Sequence, residues 1–106
     1  TAEDPRTENV NDIIDQISMG SEKEGAKETK EENLPAKIDK EHYFLKIPKR
    51  REAIKTAVKI AQKNDIVIIC GKGHEKSMCL GTTEYPWSDH EAVKNALRKR
   101  LGERTR

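Results

Sequence analysis

The sequence predicts an α/β fold with a mostly parallel sheet, and three observations support this prediction. Residues 66–70, IVIIC, form an unbroken apolar run, which is typical of a strand buried on both faces. Residues 42–48, HYFLKIP, indicate a second short strand, and a helical pattern beginning near Arg50 separates the two. Strand, helix and strand in this order predict a βαβ unit with parallel strands and a right-handed crossover.

Composition limits the chain to one small domain with a compact core. Its 106 residues are 33% hydrophobic and 38% charged, and 21 basic residues nearly balance 19 acidic ones to give a net charge of +2. This charge gives no electrostatic footprint for nucleic acid or an anionic membrane, and no apolar run is long enough to span a bilayer. We therefore expect neither a nucleic-acid nor a membrane partner.

Two features of the chain indicate its origin and compartment. Cys70 and Cys79 lie in apolar, strand-like contexts, which favours a reduced, cytoplasmic protein over a disulfide framework. The opening residues TAEDPR carry no initiator methionine and no secretory signal, and they resemble the exit of a strand into a loop. We therefore expect the chain to be a piece of a longer protein.

The first helix is predicted from Asn9, a capping residue, to Gly20. One apolar face would contain Val10, Ile13, Ile14 and Ile17. Residues 21–41 then read as an exposed charged insertion without chemistry, because residues 21–33 contain no aromatic side chain and no aliphatic one larger than alanine. A solvated extension of the helix and a flexible segment are both compatible with this pattern.

Pro48 helps to start the second helix near Arg50, and Asn64-Asp65 forms the turn after it. The apolar stripe of this helix is predicted at Ala53, Ile54, Ala57, Val58, Ile60 and Ala61.

Residues 77–80 are predicted as another strand and residues 81–83 as a turn. Ser88 and Glu91 form a capping box for the last helix. Its inward-facing residues would be Ala92, Val93, Ala96, Leu97 and Leu101. Its end is basic, which suits the helix dipole; the alternative is a nucleic-acid-binding tail. The cations concerned are Arg98, Lys99, Arg100, Arg104 and Arg106.

Two loops should lie at the carboxyl ends of strands, where ligands bind in open α/β sheets. In residues 71–75, GKGHE, two glycines let the backbone turn sharply and approach a ligand. Lys72, His74 and Glu75 offer a cation, a tunable group and an acceptor, which suit a zwitterionic ligand whose amine would pair with Glu75. A plain turn with solvated charges is the alternative. In residues 3–6, EDPR, Arg6 has the geometry to take a carboxylate bidentately, or it pairs with Glu3 or Asp4 at the surface.

Four blocks of sequence, in this order, resemble the C-terminal domain of the Mur ligases of the UDP-N-acetylmuramoyl-tripeptide synthetase type. They are TAEDPR at 1–6, IPKRREAI at 47–54, NDIVIICGKGHEKS at 64–77 and YPWSDHEAVKNAL at 85–97. The resemblance implies that residues 1–106 are a partial copy of that domain. It also implies a Rossmann-like, three-layer fold that lacks its first strand and helix.

The resemblance implies a reaction in peptidoglycan precursor synthesis. Such enzymes use ATP and Mg²⁺ to activate the carboxylate of UDP-MurNAc-L-Ala-D-Glu as an acyl phosphate, which the amine of a diamino acid attacks. The added residue would be meso-diaminopimelate, which we favour, or lysine. The central ATPase domain, the partner of this domain in a full-length enzyme, would bind ATP and Mg²⁺ outside this sequence. The chain alone is therefore expected to be inactive.

The resemblance also assigns binding roles to residues. Arg6 would hold the side-chain carboxylate of diaminopimelate, and Glu3 and Asp4 would line that pocket. Gly71 and Glu75 would hold the amino-carboxylate end, with support from Lys72, Gly73 and His74. No catalytic residue and no metal ligand is expected in this chain.

Departures from the family pattern and rival functions accompany this assignment. Glu3-Asp4 replaces an Asp-Asn pair, which adds negative charge beside Arg6, and Lys49 replaces an aspartate before Arg50. Rival functions are another ligase of the superfamily, of the folylpolyglutamate or cyanophycin synthetase type, and a non-catalytic small-molecule binding module. The EDPR loop together with GKGHE argues against the rival ligases.

Overall fold

The computed structural model describes residues 1–35 and 41–102, and it is a small α/β structure. Three helices are α1 (Val10–Lys23), α2 (Arg50–Ile60) and α3 (Asp89–Arg100), with a 3₁₀ turn at Glu31–Asn33. The strands are β1 (Lys27–Glu28), β2 (Tyr43–Phe44), β3 (Ser77–Leu80) and β4 (Thr83–Pro86). β1 pairs with β2 in parallel, and β3 pairs with β4 in antiparallel register, Cys79 opposite Glu84. The α/β class is confirmed, whereas the three-layer Rossmann-like arrangement stays a prediction.

Helix starts follow the predicted caps. The Oδ1 of Asn9 accepts a hydrogen bond from the backbone N–H of Asn11 at 2.8 Å, and the hydroxyl of Ser88 accepts one from the N–H of Glu91 at 3.3 Å. α1 continues past the predicted stop at Gly20 to Lys23. α2 begins at Arg50 as predicted, and the Lys49 side chain does not cap it.

The core lies between α2 and α3. Ile54 and Val58 of α2 are buried against Ala92 and Ala96 of α3, as their apolar stripes predict. Ile69, Trp87 and Val93 pack around this cluster. Four other residues predicted on apolar helix faces are exposed: Ile17, Ile60, Leu97 and Leu101.

The prediction of a buried strand at residues 66–70 is wrong. This segment is extended, but no strand of the described residues pairs with it, and Ile66 and Ile68 are 85% and 77% exposed. A strand buried on both faces needs a neighbour in the sheet and a layer on each side. Of residues 66–70, only Ile69 packs against the α2–α3 core. The predicted βαβ unit is therefore wrong as well.

Other strands differ from prediction in detail. The strand at 77–80 is confirmed, and it forms a hairpin with β4, a strand that the sequence analysis did not predict. The strand predicted at 42–48 is reduced to β2, which pairs with β1 inside the predicted insertion at 21–41. Residues 36–40 of that insertion, and Arg104 and Arg106 of the basic tail, lie outside the described residues. None of the helices in the described ranges has the length and hydropathy to cross a membrane.

Candidate functional site

The loop at residues 3–6 and the loop at residues 71–75 meet beside β3. The backbone N–H of Arg6 donates to the carbonyl of Cys79 at 3.1 Å, and the N–H of Gly81 donates to the carbonyl of Arg6 at 2.7 Å. A parallel bridge between Arg6 and Leu80 results, so the first loop adds to the edge of the β3–β4 hairpin. The structure thus brings together the two loops that the sequence singled out.

Lys72 lies at the junction of the two loops. It is 3% exposed, and its ammonium lies 2.8 Å from Oδ1 of Asp4 and 2.9 Å from Oε2 of Glu75. The same Asp4 oxygen accepts a hydrogen bond from the backbone N–H of Cys79 at 2.9 Å. Since a buried ammonium is costly unless it is paired, the two carboxylates explain how Lys72 can be inside. We call Asp4, Lys72 and Glu75 the loop cluster.

The electrostatics of the loop cluster favour the ionised forms of Asp4 and Lys72. The hydrogen bond from Lys72 lowers the pKa of Asp4, and the N–H of Cys79 lowers it further. Burial on its own would lower the pKa of Lys72, but the hydrogen bonds to Asp4 and Glu75 outweigh burial and raise it. Asp4 is therefore an ionised hydrogen-bond acceptor. Lys72 balances the negative charge that Asp4 adds relative to the asparagine of the family pattern.

Backbone conformation at the site is strained at one residue. Arg6 has φ of 54°, in the left-handed region, and its side chain is exposed. This conformation costs an L-residue about 1–2 kcal/mol, and the two hydrogen bonds to the hairpin hold it in place. Gly71 and Gly73 also have positive φ, 105° and 56°, where glycine is free of that cost. A Cβ built on Gly71 would lie 3.4 Å from the Glu3 side chain, so Glu3 closes one side of the loop.

Of the remaining candidate residues, His74 and Glu75 are exposed on the loop, and Glu3 is exposed beside it. The structure therefore places the eight candidate residues on two touching loops, with Lys72 inside and the carboxylate of Glu75 and the guanidinium of Arg6 toward solvent. These are the groups with which a ligand carrying both an amine and a carboxylate would pair.

A second cluster supports the glycine loop, and the sequence analysis missed it. Arg50 donates to both carboxylate oxygens of Asp89, from Nε at 2.8 Å and from Nη2 at 2.7 Å, and Nη2 also donates to the carbonyl of Cys70 at 2.9 Å. The indole N–H of Trp87 donates to Asp89 at 2.7 Å. The sequence predicted Arg50 only as the start of a helix. A signal was present, because Arg50 and Asp89 each sit at a helix start inside a block that resembles the family.

The described residues show no group of side chains arranged as metal ligands. Within residues 1–35 and 41–102 no three His, Cys, Asp or Glu side chains are grouped as metal ligands would be. Asp4 and Glu75 are already paired with Lys72. The Mg²⁺ that the resemblance implies would be bound by the central domain, so we assign it no step in this chain.

Comparison with known proteins finds Mur ligases. The chain is 35% identical over 99 residues to the UDP-N-acetylmuramoyl-L-alanyl-D-glutamate–2,6-diaminopimelate ligase of Geobacter metallireducens, covering 93% of the chain and 19% of the relative. It is 39% identical over 97 residues to the ligase of the same name from Caldanaerobacter subterraneus, covering 92% and 17%. It is also 39% identical over 99 residues to the UDP-N-acetylmuramyl-tripeptide synthetase of Roseiflexus, covering 92% and 17%.

The extent of these matches is uneven. They span nearly all of the chain, but the chain spans less than a fifth of the length of these curated relatives. No family model matches the chain, and no solved structure matches it. The resemblance found in the sequence blocks is nevertheless confirmed by relatives that align across more than nine-tenths of the chain.

Proposed function

We propose, because the chain is a homologue of the Mur ligases of the UDP-N-acetylmuramyl-tripeptide synthetase type, that it forms the amino-acid-binding C-terminal domain of such a ligase. Residues 1–106 would be this domain, with residues 21–41 as an exposed insertion. The full-length enzyme would act in the cytoplasm, on a peptidoglycan precursor. It would use ATP and Mg²⁺ bound by its central domain to join a diamino acid to UDP-MurNAc-L-Ala-D-Glu.

The observation that carries the proposal is the conformation of Arg6. A non-glycine residue with φ of 54°, pinned by two backbone hydrogen bonds and exposed at its side chain, presents a cation at fixed position. Strained residues of this kind cluster at ligand sites. Arg6 would bind the side-chain carboxylate of meso-diaminopimelate, since a guanidinium pairs with a carboxylate bidentately.

The loop cluster favours the same class of ligand. Asp4 is neutralised by Lys72, so the surface beside Arg6 does not repel a carboxylate as strongly as its sequence suggests. Glu75 uses one oxygen for Lys72 and is otherwise exposed, and this leaves acceptor capacity for the ammonium of a zwitterion. Gly71 and Gly73 leave room for the ligand to approach the backbone. Lysine, which lacks the second carboxylate, would use only part of this set.

In the proposed reaction these residues bind and orient the amino acid. The rest of the enzyme would bind ATP and Mg²⁺, which would supply the chemistry that activates the acceptor carboxylate. The amine then forms a C–N bond as the carbon–oxygen bond to phosphate breaks, and a proton leaves the nitrogen. Holding the amine against its target replaces a bimolecular encounter by a positioned one, which is the contribution we assign to this chain.

The test measures phosphate release by the full-length ligase with ATP, Mg²⁺ and UDP-MurNAc-L-Ala-D-Glu. We expect release that depends on meso-diaminopimelate, is lost in Arg6→Ala and is kept in Arg98→Ala, a control at an exposed arginine of α3. Release with lysine and not diaminopimelate would retain the ligase and overturn the role of Arg6. If none of the tested amino acids gives phosphate release, another acceptor substrate is favoured, as in the folylpolyglutamate or cyanophycin synthetase type, or a non-catalytic binding module.

A further inference from the structure

Arg50 reaches from the start of α2 to the residue that precedes the glycine loop. Its Nη2 donates to the carbonyl of Cys70 at 2.9 Å while the same guanidinium binds Asp89 at the start of α3. From these contacts we infer that Arg50, held by Asp89, is a positioning residue that sets the path of residues 71–75. The inference deepens the proposed function, on which its substrate rests.

The Arg50–Asp89 pair is built to hold one orientation. Both residues are buried, and two parallel hydrogen bonds join the guanidinium to the carboxylate. Asp89 also accepts from the indole of Trp87, and the guanidinium of Arg51 lies over the Trp87 ring at 5.2 Å from its centre. Because a guanidinium is planar and rigid, fixing two of its donors on Asp89 also fixes the direction of the third toward Cys70.

This anchor lies next to the point where the chain turns. Gly71, with φ of 105°, directly follows the anchored carbonyl, and Lys72 directly follows Gly71 with its two ion pairs. The loop is thus anchored at Cys70 by Arg50 and at Lys72 by the ion pairs with Asp4 and Glu75. Only Gly71 lies between the two anchors. Loss of the anchor at Cys70 should therefore change the conformation of residues 71–75 even if the helices stay packed.

The decisive variant is Arg50→Met with Asp89→Leu in the full-length ligase. Replacing both members of a buried ion pair by apolar residues often leaves stability unchanged, so this protein should fold, whereas either single change strands a buried charge. We expect the KM for the amino acid to rise about tenfold or more with little change in kcat, because a displaced loop loses binding contacts that are made equally in the ground state and the transition state. We also expect the amide signals of Gly71 and Gly73 to move in the nitrogen-15 spectrum of glycine-labelled protein.

Val58→Ala is the matched control. Val58 is buried between α2 and α3, so its truncation loosens the same helix packing without touching the anchor. We expect this variant to lose thermal stability but to keep the wild-type glycine signals and KM. The inference is overturned if the double variant keeps both readouts, or if Val58→Ala shifts them equally.

The two readouts separate this inference from the proposed function. If the wild-type ligase uses no amino acid, the proposed function fails and KM cannot be compared. The glycine signals still decide the role of Arg50: displaced signals in the double variant support it, and unchanged signals refute it.

Discussion

Lys72→Met removes the buried cation of the loop cluster and tests whether that cation joins the two loops. Lys72 makes two ion pairs of different quality. Asp4 is 22% exposed at its side chain, so its bond to Lys72 is partly shielded from water, whereas the Glu75 side chain is 55% exposed. The first pair should therefore dominate the effect of the substitution.

The magnitude follows from these two exposures. A hydrogen bond to a charged group contributes about 1.5–3 kcal/mol, and the exposed pair with Glu75 adds no more than about 0.5 kcal/mol after solvent screening. Methionine relieves some of the cost of burying an ammonium, and Asp4 keeps the N–H of Cys79. We expect Lys72→Met to lower the free energy of unfolding by about 2 kcal/mol. For a chain of this length that corresponds to roughly 8–15 °C in Tm.

The assay is urea unfolding at neutral pH, followed by far-ultraviolet circular dichroism. Lys76→Met is the matched control, because Lys76 carries the same charge four residues along the chain and is exposed. Its loss should change the free energy of unfolding by less than about 0.5 kcal/mol. Equal effects of the two substitutions would refute the role of Lys72 as the buried link between the loops.

Three further predictions concern the loops and α1. Arg6→Gly should leave the free energy of unfolding unchanged or raise it by up to about 1 kcal/mol, since glycine relieves the strain at φ of 54°. A loss of stability in urea unfolding would contradict this. Gly71→Ala should destabilise by about 1–2 kcal/mol because of its positive φ. Gly20 is exposed inside α1 with open space around it, so Gly20→Ala should stabilise the protein by about 0.5–1 kcal/mol. A change in Tm of the same sign in both glycine variants would contradict these two predictions. The pKa of Asp4 is lowered from 3.8 by the hydrogen bond from Lys72, so its contribution is present above that value and lost as the pH falls through the folded pKa. The stability difference between wild type and Asp4→Asn should therefore be constant from neutral pH down to about pH 5 and shrink below about pH 4. A difference that is flat across this whole range in acid titration would show that Asp4 is not so paired.

Features fixed by neighbouring residues could be predicted from the sequence. Asn9 and Ser88 cap their helices with bonds to residues only two or three positions away, so the local pattern was sufficient. The α2–α3 core followed from the spacing of Ile54, Val58 and their partners. The prediction at residues 66–70 was wrong because apolar, β-branched composition only shows that a segment is suited to a buried strand. Whether the segment is buried depends on which strands and layers pack against it.

The inner parts of the site depended on distant partners and could not be predicted. A lysine between two glycines usually indicates a solvated charge, and Lys72 is buried only because Asp4, 68 positions away, meets it. Arg50 and Asp89 are likewise 39 positions apart, and neither residue alone distinguishes a buried pair from two helix-start charges. The structure brings the two loops chosen from the sequence together, and their role as a binding site stays a prediction.

The distance along the chain between Asp4 and Lys72 also has a consequence for biosynthesis. At ribosomal rates of about 5–20 residues per second, Asp4 is added to the chain roughly 3–14 seconds before Lys72. During that interval the Asp4 carboxylate has neither Lys72 nor the Cys79 amide, so the loop has no partner to order it. The site can therefore close only after the hairpin has been synthesised, and nascent chains stalled before Lys72 should leave the first loop open to proteases.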